Sequence, residues 1–444
     1  MPKASLRLTG WGRGPASACE AVRPERFTDA VAAFGEPVGP HGLCLRGAAR
    51  SYGDCATNGA GDALMTTRLD RILAFDAATG IVQVEPGVDF HRLLQVFLPR
   101  GFLVPVTPGT AFATIGGAVA HDVHGKNHEH DGSFCQHVTE LDLVLPDGSV
   151  RTVTPEDTRL FRATAGGMGM TGLIMRVAFR MMHVPGGGVT VREQRANDLE
   201  AFLTAMADGA DATYSVGWID GAAHGTRLGR GILETAEPAD SEISRHRSLS
   251  ARVPFDFPGM ALNPVSVAVF NEAYFRRVPQ AGRIRPVTWQ KFLYPLDAIH
   301  EWNRFYGRRG FIQFQCVVPF ETGPAALRDL LEVISASHRA SFLAVLKRMG
   351  AGRAGYLSFP MPGYTLALDF PRRAGIEELY RRLTAITLDA GGRVYLAKDA
   401  LLDALTFRRM YPEFAGFSEV LAKIDPASRL QSDMSRRLRL HDVP

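Results

Sequence analysis

Short apolar runs separated by glycine-containing turns dominate residues 43–180. Residues 74–87 and 141–153 each place such a turn between two apolar stretches, so both segments predict a β-hairpin. Residues 90–98 carry apolar side chains at helical spacing and are followed by a proline, which predicts a helix. Residues 174–181 are largely apolar and predict a strand. Strands joined by short turns, rather than by regular βαβ units, indicate the α+β class.

The pattern changes at the segment Pro185-Gly186-Gly187-Gly188, after which helical and strand-like segments alternate. Helical periodicity is present over residues 325–346 and 377–390, and a glycine pair that can end a helix follows the second segment. Residues 364–370 predict a strand. Residues 254–286 are punctuated by proline and arginine with weak periodicity, which indicates a mobile loop or lid.

The last change of pattern concerns residues 393–399, which predict a strand, followed by helical sequence to the C-terminus. Lys398 lies where the chain leaves this strand. A lysine at such a point can face a cleft, although most lysines are simply solvated at the surface.

Composition excludes some classes of function. The chain has 444 residues, which is enough for two or three domains, and its content of 46% hydrophobic and 22% charged residues is ordinary for a globular protein. Its 50 basic and 46 acidic residues give a net charge of +4. This balance argues against a nucleic-acid partner, which usually requires a concentrated basic face.

The five cysteines, Cys19, Cys44, Cys55, Cys135 and Cys316, are odd in number and widely spaced. They favour a reducing compartment and argue against a disulfide framework or a thiolate zinc site. The N-terminus has no apolar core of signal-peptide length, and no apolar run approaches the ~18–20 residues that cross a bilayer. We therefore expect a cytoplasmic protein, with peripheral contact to the inner membrane left open.

Two loops carry the strongest chemical signal. The first reads Arg46-Gly47-Ala48-Ala49-Arg50-Ser51-Tyr52-Gly53-Asp54, and the second covers residues 108–128 with several glycines, hydroxyls and histidines. Small residues let backbone N–H groups converge on an anion, and arginine adds a permanent positive charge. Both loops therefore favour a diphosphate-bearing cofactor and a redox enzyme, although Arg50 and Asp54 could also form a surface ion pair.

The segment Gly167-Met168-Gly169-Met170-Thr171-Gly172 matches the G-x-G-x-x-G motif, but its context is reversed. A dinucleotide-binding fingerprint follows a strand and opens a helix, whereas here a helical segment precedes the motif and a strand-like segment follows it. We therefore predict a helix-to-strand turn near a cofactor rather than a Rossmann site.

His121, His124, His128, His130 and His137 occupy one short window. Such a cluster could bind a metal ion. However, no H-E-x-x-H motif occurs, and glycines interrupt the helix that would align the ligands. We expect no metal, and we expect some of these side chains to hydrogen-bond a cofactor or an anionic substrate.

Several short sequence motifs follow one another along the chain in the order found in one known protein family. They are Arg50-Ser51-Tyr52-Gly53-Asp54, Pro108-Gly109-Thr110, Val119-Ala120-His121-Asp122-Val123-His124-Gly125-Lys126-Asn127-His128, Gly132-Ser133-Phe134, Phe292-Leu293-Tyr294-Pro295-Leu296-Asp297, Glu301-Trp302-Asn303, Phe359-Pro360-Met361-Pro362-Gly363, Tyr395-Leu396-Ala397-Lys398-Asp399 and Ser432-Asp433-Met434-Ser435-Arg436-Arg437. From near residue 10 to its end the chain resembles the vanillyl-alcohol-oxidase, or PCMH-type, flavoprotein family. Within that family it is most similar to members that oxidise a polyprenyl-phosphoryl ribose.

The resemblance implies a two-domain PCMH-type fold. An FAD-binding domain would comprise residues 1–186, completed by 393–444. A central substrate-binding domain, residues 187–392, would be built on an antiparallel sheet with helices, and FAD would lie between the two.

By the same resemblance, FAD contacts are expected from Arg46, Gly47, Ala48, Ala49, Arg50, Ser51, Tyr52, Gly53, Asp54, Gly109, Thr114, Ile115, Gly116, Gly117, His121, Asp122, Val123, His124, Ile174 and Tyr395. Many relatives attach FAD covalently through a histidine in the first loop. Asp54 stands at that place here, so non-covalent FAD is expected.

The substrate side would use Lys398, His124, Tyr294, Gln315 and Lys347. Lys398 would either bind the anionic substrate or, if burial lowers its pKa, accept the hydroxyl proton, and His124 is the competing base. Gln315 and Tyr294 could orient sugar hydroxyls or a phosphate through neutral hydrogen bonds.

The implied reaction is FAD-dependent oxidation of the C2 hydroxyl of a polyprenyl-phosphoryl ribose, with a separate short-chain reductase completing an epimerisation. The chain departs from the mycobacterial members at Thr365 and Ala367, where they carry asparagine and cysteine. The alternatives are an FAD-dependent oxidase of a soluble sugar, alditol or lactone, and a catalytically silent flavin- or nucleotide-binding module.

Overall fold

The computed structural model describes residues 2–242, 251–259, 262–339 and 341–442. It confirms the α+β class, with three large sheets and helices packed against them. Within these ranges the longest helices have 14 residues, and none has the length and apolar character needed to cross a bilayer.

The first part of the chain forms two sheets and a two-stranded ribbon. Its helices are α1 (Phe27–Gly35), α2 (Phe90–Phe97), α3 (Ile115–His121), α4 (His128–Asp131) and α5 (Thr158–Thr164). Its strands are β1 (Ala4–Leu8), β2 (Ser17–Val22), β3 (Leu43–Arg46), β4 (Asp62–Met65), β5 (Ile72–Asp76), β6 (Ile81–Val84), β7 (Phe102–Leu103), β8 (Val138–Val144), β9 (Val150–Val153), β10 (Leu173–Arg180) and β11 (Met182–His183). The sheets have the strand orders β1-β2-β4-β3 and β5-β6-β10-β8-β9, and β7 pairs with β11.

The middle of the chain forms a single antiparallel sheet of eight strands, which β21 completes from the C-terminal segment. The helices of this part are α6 (Leu199–Asp208), α7 (Pro264–Arg276), α8 (Trp289–Leu293), α9 (Gly323–Ala336) and α10 (Ile376–Asp389). The strands are β12 (Gly188–Ala196), β13 (Tyr214–Ile219), β14 (Gly231–Ala239), β15 (Ala251–Arg252), β16 (Arg283–Thr288), β17 (Ile299–His300), β18 (Phe311–Val318), β19 (Ala344–Met349), β20 (Gly363–Pro371) and β21 (Arg393–Val394). The sheet has the order β16-β12-β14-β13-β19-β20-β18-β21, and β15 pairs with β17.

The eight-stranded sheet is buried on one face by helices. Phe314 of β18, Leu366 and Leu368 of β20 and Leu346 of β19 share a core with apolar side chains of α6, α9 and α10, such as Leu330. Because side chains alternate along a strand, the intervening residues of β18, β19 and β20 point to the opposite face. That face lines the cavity described below.

The last segment contains α11 (Ala404–Met410), α12 (Phe414–Ile424) and α13 (Asp433–Leu438), and it returns to the beginning of the chain. The carboxylate of Asp433 accepts hydrogen bonds from the hydroxyls of Ser17 and Thr57 and from the backbone N–H of Gly59. The guanidinium of Arg437 pairs with the Asp54 carboxylate at 2.7 Å. These contacts tie residues 433–437 to the first sixty residues.

Both predicted hairpins, the helix at residues 90–98 and the strands at 174–181 and 364–370 are confirmed. The helix at 377–390 is also confirmed, and the G-x-G-x-x-G motif links α5 to β10 as a helix-to-strand turn.

Three local predictions need correction. The helix expected over 325–346 ends at Ala336, and Ala344–Met349 is the strand β19, whose buried residues alternate with polar ones. Residues 254–286 contain α7 and the start of β16 rather than a continuous loop, although residues 260 and 261 lie outside the described ranges. The strand of 393–399 is limited to its first two residues, because the chain then turns and Tyr395 O accepts the N–H groups of Lys398 and Asp399.

Candidate active site

One cavity of about 880 Å³ lies between two loops, residues 46–52 and 107–126, and the open face of the eight-stranded sheet. The turn at residues 395–398 also lines it. Its volume falls near the upper end of the roughly 300–1,000 Å³ that is usual for ligand sites. The cavity can therefore hold a large cofactor or a cofactor together with a substrate.

The first loop forms a wall of backbone. Arg46 ends β3, and its buried guanidinium donates to the carbonyls of Ala56 and Thr9, which holds the loop in place. A Cβ atom on Gly47 would lie 2.4 Å from Thr114 Oγ1, so only glycine allows the loop to approach the second one. The result is a wall with little side-chain bulk.

Arg50 provides the positive charge of this wall. Its Cζ atom lies 4.4 Å from the ring centroid of Trp11 and 5.3 Å from that of Phe112. Burial lowers the pKa of Arg50, and its buried Nε atom has no hydrogen-bond partner in the part of the chain that the structure describes. A guanidinium stacked on aromatic rings keeps its N–H groups available, which suits an anionic ligand group.

The second wall is built around α3. The Thr114 hydroxyl accepts the backbone N–H of Gly117 and caps the helix, which ends at His121. Asp122 then adopts a left-handed conformation with φ of 40°. Its fully buried carboxylate accepts hydrogen bonds from the Cys135 and Ala354 backbone N–H groups and the Ser358 hydroxyl, and this network fixes the turn that brings His124 into the cavity.

Side chains of the eight-stranded sheet form the third wall. The register places Gln315 of β18 opposite Ala367 of β20, and Gln313 opposite Asp369. Lys347 of β19 is paired in register with Thr365. Alternation brings these six residues to one face of the sheet. Four of them line the cavity, namely Gln313, Gln315, Ala367 and Lys347.

His124 and Gln315 link the second wall to the sheet. Gln315 Nε2 lies 3.1 Å from His124 Nε2 and 3.2 Å from Thr365 Oγ1. An amide nitrogen only donates, so His124 Nε2 accepts and the neutral ring carries its proton on Nδ1. Burial, followed by the charge of Lys347, lowers the pKa of His124 well below its ordinary value. His124 Nδ1 has no partner among the described residues and can donate to a ligand.

Lys398 lies at the end of a polar chain. Its Nζ atom is 3.6 Å from the ring centroid of Tyr52, whose hydroxyl hydrogen-bonds with Gln313. Gln313 and Tyr306 donate to the fully buried carboxylate of Asp369. Burial lowers the pKa of Lys398 and raises that of Asp369. A lysine with a lowered pKa that faces a cavity can accept a proton at neutral pH.

Most residues that the sequence predicts for the site line this cavity. They are Arg46, Gly47, Ala48, Ala49, Arg50, Ser51, Tyr52, Gly109, Thr114, Gly116, Gly117, His121, Val123, His124, Ile174, Gln315, Lys347, Tyr395 and Lys398. The structure thus brings together residues separated by more than 300 positions in the chain.

Five predicted residues lie behind the lining. Gly53 packs against the carbonyl of Asp399, Ile115 lies in the apolar core, and Asp122 holds its turn. Asp54 forms a two-bond ion pair with Arg437, at 2.7 and 2.9 Å, and not with Arg50. Tyr294 is buried next to the lining residue Thr107, with which its side chain forms a hydrogen bond. These residues support the walls rather than face the cavity.

The histidine window holds no metal cluster: the described residues include no group of three potential metal ligands. The five histidines contact different partners. His130 and His137 each contact a backbone carbonyl, of Ala210 and Asp131, and His128 Nδ1 accepts the Gly350 N–H. His121 Nε2 lies 3.8 Å from Cys55 Sγ, and burial lowers the pKa of His121 to about 4.

Sequence reasoning missed several residues of the cavity. Trp11, Lys126, Gln313 and Asp297 all line it. Asp297 accepts the Thr110 hydroxyl and the Ala111 N–H, and so fastens the second loop to the central segment. Lys126 lies inside a word that carried the resemblance and could have been found there. Gln313 required the register of β18, which the sequence does not display.

Comparisons with known proteins agree with this geometry. A family model described as an FAD binding domain matches residues 38–154, and one described as D-arabinono-1,4-lactone oxidase matches residues 297–438. The first covers both cavity loops, and the second covers β18 to β21 and Lys398.

Full-length relatives narrow the family. Decaprenylphosphoryl-β-D-ribose oxidase of Mycolicibacterium smegmatis is 36% identical, with 99% of each chain covered. An uncharacterised Streptomyces coelicolor protein is 34% identical over 80% of this chain and 100% of its own. L-Gulono-1,4-lactone dehydrogenase of Mycobacterium tuberculosis is more distant, at 24% identity over 88% of this chain and 89% of the relative. The chain therefore belongs to the PCMH-type family of FAD-dependent oxidoreductases that includes decaprenylphosphoryl-β-D-ribose oxidase.

Proposed function

We propose that this protein oxidises the C2 hydroxyl of a polyprenyl-phosphoryl-β-D-ribose to the 2-keto sugar, as the first half of an epimerisation to the arabinose form. The observation that carries the proposal is the cavity that the half-buried Lys398 lines together with the hydrogen-bonded pair His124 and Gln315, beside the backbone-lined loops. The full-length match to an oxidase of that substrate supports it.

The loop side of the cavity fits FAD. Glycines at positions 47, 109, 116 and 117 leave room for close backbone approach, and Arg50 Nε is a buried donor with no partner among the residues described. We assign FAD binding to residues 46–52, 114–117 and 121–124 with Gly109, Ile174 and Tyr395. When bound, FAD supplies the acceptor for the hydride that a secondary alcohol loses on oxidation.

We further propose that the FAD is held without a covalent bond. Asp54 is engaged by Arg437 and does not reach the cavity lining, so the first loop offers no attachment point at that position. Acid precipitation of the purified protein should release all of its flavin into the supernatant. Yellow colour that remains in the pellet would contradict a non-covalent cofactor.

Residues of the sheet wall would handle the sugar. Lys398 is placed to take the hydroxyl proton in its neutral form or to hold the substrate anion in its charged form, and His124 is the competing base. Gln315 would orient a sugar hydroxyl with its carbonyl oxygen, because its amide nitrogen is already occupied by His124 and Thr365. Tyr294 would act indirectly, by holding Thr107.

The test is the visible spectrum of the purified protein under anaerobic conditions. A flavin spectrum that bleaches on addition of farnesylphosphoryl-β-D-ribose supports both cofactor and substrate class. Protein that purifies without flavin overturns the proposal. Bound flavin that stays oxidised with this substrate would leave the family assignment intact and reject the ribose substrate.

A second candidate is an FAD-dependent oxidase of a soluble sugar, alditol or lactone. The match of residues 297–438 to the D-arabinono-1,4-lactone oxidase model favours it. Hydrogen peroxide release during turnover of a free polyol or lactone, without any lipid phosphate, would support this candidate. A silent flavin-binding module would show no bleaching with any of these substrates.

We also propose how the chain is divided and where it works. Residues 1–186 with 393–444 would bind FAD, residues 187–392 would bind the substrate, and a short-chain reductase would consume the keto sugar. Exposed apolar side chains of Phe255, Val265, Val269 and Ile284 could contact the cytoplasmic face of the inner membrane, where a lipid-linked substrate is found. Flotation with anionic lipid vesicles, lost on changing Val265 and Val269 to serine, tests this contact.

A further inference from the structure

Two lysines from different elements line the same part of the cavity. Lys126 follows α3 and Lys347 lies on β19. Lys347 Nζ donates to the carbonyl of Gly125 at 3.2 Å, so it lies beside the residue that precedes Lys126. Lys126 Nζ donates to the carbonyl of Phe292 and lies 4.2 Å from the centroid of that ring. Both ammonium groups are thus held in place by backbone carbonyls.

Neither lysine has a counter-ion within the described part of the chain. Glu234 is the carboxylate that raises the pKa of Lys126, but this glutamate is paired with Arg277 at 3.0 Å. Each ammonium has three N–H groups and a single hydrogen-bond acceptor among the described residues. Since a buried charge without a partner is costly, an anionic ligand between the two lysines would be strongly favoured.

The surrounding histidines do not change the charge of this part of the cavity. Burial, followed by the charge of Lys347, lowers the pKa of both His124 and His128, the latter to about 4. These rings are therefore neutral near pH 7. Burial also lowers the pKa of Lys126 and Lys347 to about 8, and Lys126 contributes to the shift at Lys347. Both lysines line the cavity, and Lys347 Nζ bonds to the carbonyl of the residue that precedes Lys126.

We propose that Lys126 and Lys347 form the subsite for the phosphodiester of the substrate. A phosphodiester monoanion has two non-bridging oxygens, which matches two ammonium donors. The inference rests on the proposed function. In a ribose 1-phosphodiester the phosphate is attached to the carbon next to the reacting C2, so its subsite must adjoin the residue that handles the C2 hydroxyl. Lys347 meets this condition, because it is paired in register with Thr365, whose hydroxyl accepts Gln315 Nε2, and it lines the same cavity as Lys398.

The cofactor diphosphate is the rival occupant. Arg50 and the backbone donors of residues 46–52 lie on the loop wall, whereas Lys347 belongs to the sheet wall. Assigning the diphosphate to the loops leaves the two lysines for a second anion. The subsite would thus distinguish a lipid-phosphoryl sugar from a free sugar or lactone, which the family also includes among its substrates.

The experiment compares Lys126→Met and Lys347→Met with the wild-type holoenzyme. Methionine keeps the length and apolar stem of the side chain and removes the charge. Anaerobic flavin bleaching gives the apparent Kd of farnesylphosphoryl-β-D-ribose and of the phosphate-free farnesyl β-D-riboside. Loss of one charge-assisted hydrogen bond should raise the first Kd by roughly 10- to 100-fold more than the second. Lys423→Met, at an exposed position of α12, is the control and should leave the ratio unchanged.

The outcomes separate the two proposals. Failure of farnesylphosphoryl-β-D-ribose to bleach the wild-type protein would reject the proposed function. Bleaching of the wild type with an unchanged Kd ratio in both variants would overturn the subsite alone. Folded variants that purify without FAD would assign the lysines to the cofactor and also overturn it.

A measurement on the wild-type protein covers the case in which the variants do not fold. Inorganic phosphate should compete with farnesylphosphoryl-β-D-ribose and have a clearly smaller effect on the phosphate-free riboside, because only the first compound needs the subsite. Equal competition against both compounds, or none against either, would overturn the proposal.

Discussion

The two sides of the cavity are built by different means. The loop side, residues 46–54 and 107–126, is shaped by backbone and by glycines such as Gly47, which leave no space for an added atom. The sheet side is shaped by side chains such as Gln315 and Lys347, which alternate with core residues along each strand. The difference indicates that steric changes should damage the loop side, whereas changes of charge and hydrogen bonding should damage the sheet side.

The largest effect is expected from a single added methyl group on the loop side. Gly53→Ala would place its Cβ 1.7 Å from the carbonyl oxygen of Asp399, where two backbone segments meet. Neither segment can yield without displacing the loop, so we expect a loss of stability of about 3 kcal/mol or more and a lower FAD content. Thermal denaturation and flavin absorbance measure both quantities.

The matched control for this change is Gly35→Ala at the end of α1. Its added Cβ would meet nothing within 4 Å, and its φ is not positive. Alanine there should be neutral or stabilise the protein by up to about 1 kcal/mol. Equal stability of the two variants would show that the loop side is not sterically constrained.

The next effect concerns charge on the sheet side. Lys398→Met should keep FAD bound, because the lysine contacts the Tyr52 ring through its ammonium. The substitution therefore leaves the loop backbone intact. Removal of a general base or of an anion-holding charge should slow substrate-dependent flavin bleaching by roughly 10²- to 10⁴-fold. Anaerobic stopped-flow absorbance measures the rate, and Lys291→Met on the exposed side of α8 serves as the control. A rate equal to that of the wild type would show that Lys398 neither accepts the hydroxyl proton nor holds the substrate anion.

The loop side was accessible to sequence reasoning because its chemistry is local. Glycines, hydroxyls and Arg50 follow one another in a short word, and most of these residues line the cavity. The structure places some of the predicted residues behind the lining, where they support the wall. Asp54 and Ile115 belong to the same words as the lining residues, and only the fold shows that one binds Arg437 and the other enters the core.

The sheet side depends on register, which the sequence does not reveal. Gln313, Asp369 and Lys347 lie on three strands and share one face only because β18, β19 and β20 pair as they do. The sequence predicts a helix over residues 325–346 that would end just before Lys347, because the apolar spacing of Ala325–Ala336 runs on into β19 without a strong breaker.

The central region also hid two clear local signals. Asn263-Pro264 begins α7, because the asparagine side chain caps the helix and proline is favoured at the first helical position. Pro286 is tolerated in β16, since that strand lies at the edge of the sheet. Both prolines were interpreted as signs of a loop. At these two positions, proline is compatible with a helix or a strand.

A pH profile sharpens the role of the sheet side. Burial and then Lys347 lower the pKa of Lys398, whereas the charge of Asp369 raises it. If neutral Lys398 is the proton acceptor, the bleaching rate rises as pH increases through this pKa. The pair of Lys398 and Asp369 is surrounded by Tyr52, Gln313 and Tyr306. Gln313 has no ionisable group, and the two tyrosines stay neutral near pH 7 because burial raises their pKa.

Asp369→Asn should therefore move the rising limb of the rate to lower pH, by removing the charge that raises the pKa of Lys398. Asp329→Asn, at an exposed position of α9, should leave the limb in place. A limb that does not move in Asp369→Asn would show that the charge of Asp369 does not set the pKa of Lys398. A rate that falls with increasing pH in the wild type would instead assign Lys398 to holding the substrate anion.

The smallest effect is expected from a hydrogen bond behind the cavity lining. Thr365→Val keeps the shape of the side chain and removes the acceptor of Gln315 Nε2, which still bonds to His124. We expect a loss of about 1 kcal/mol in stability and less than a tenfold change in substrate Kd. Thr384→Val on α10 is the matched control, because its buried hydroxyl has no partner within the described ranges and its removal should be neutral or stabilising. If Thr365→Val and Thr384→Val behave alike, the Gln315 amide is held by His124 alone, and the sheet side tolerates more change than its charges suggest.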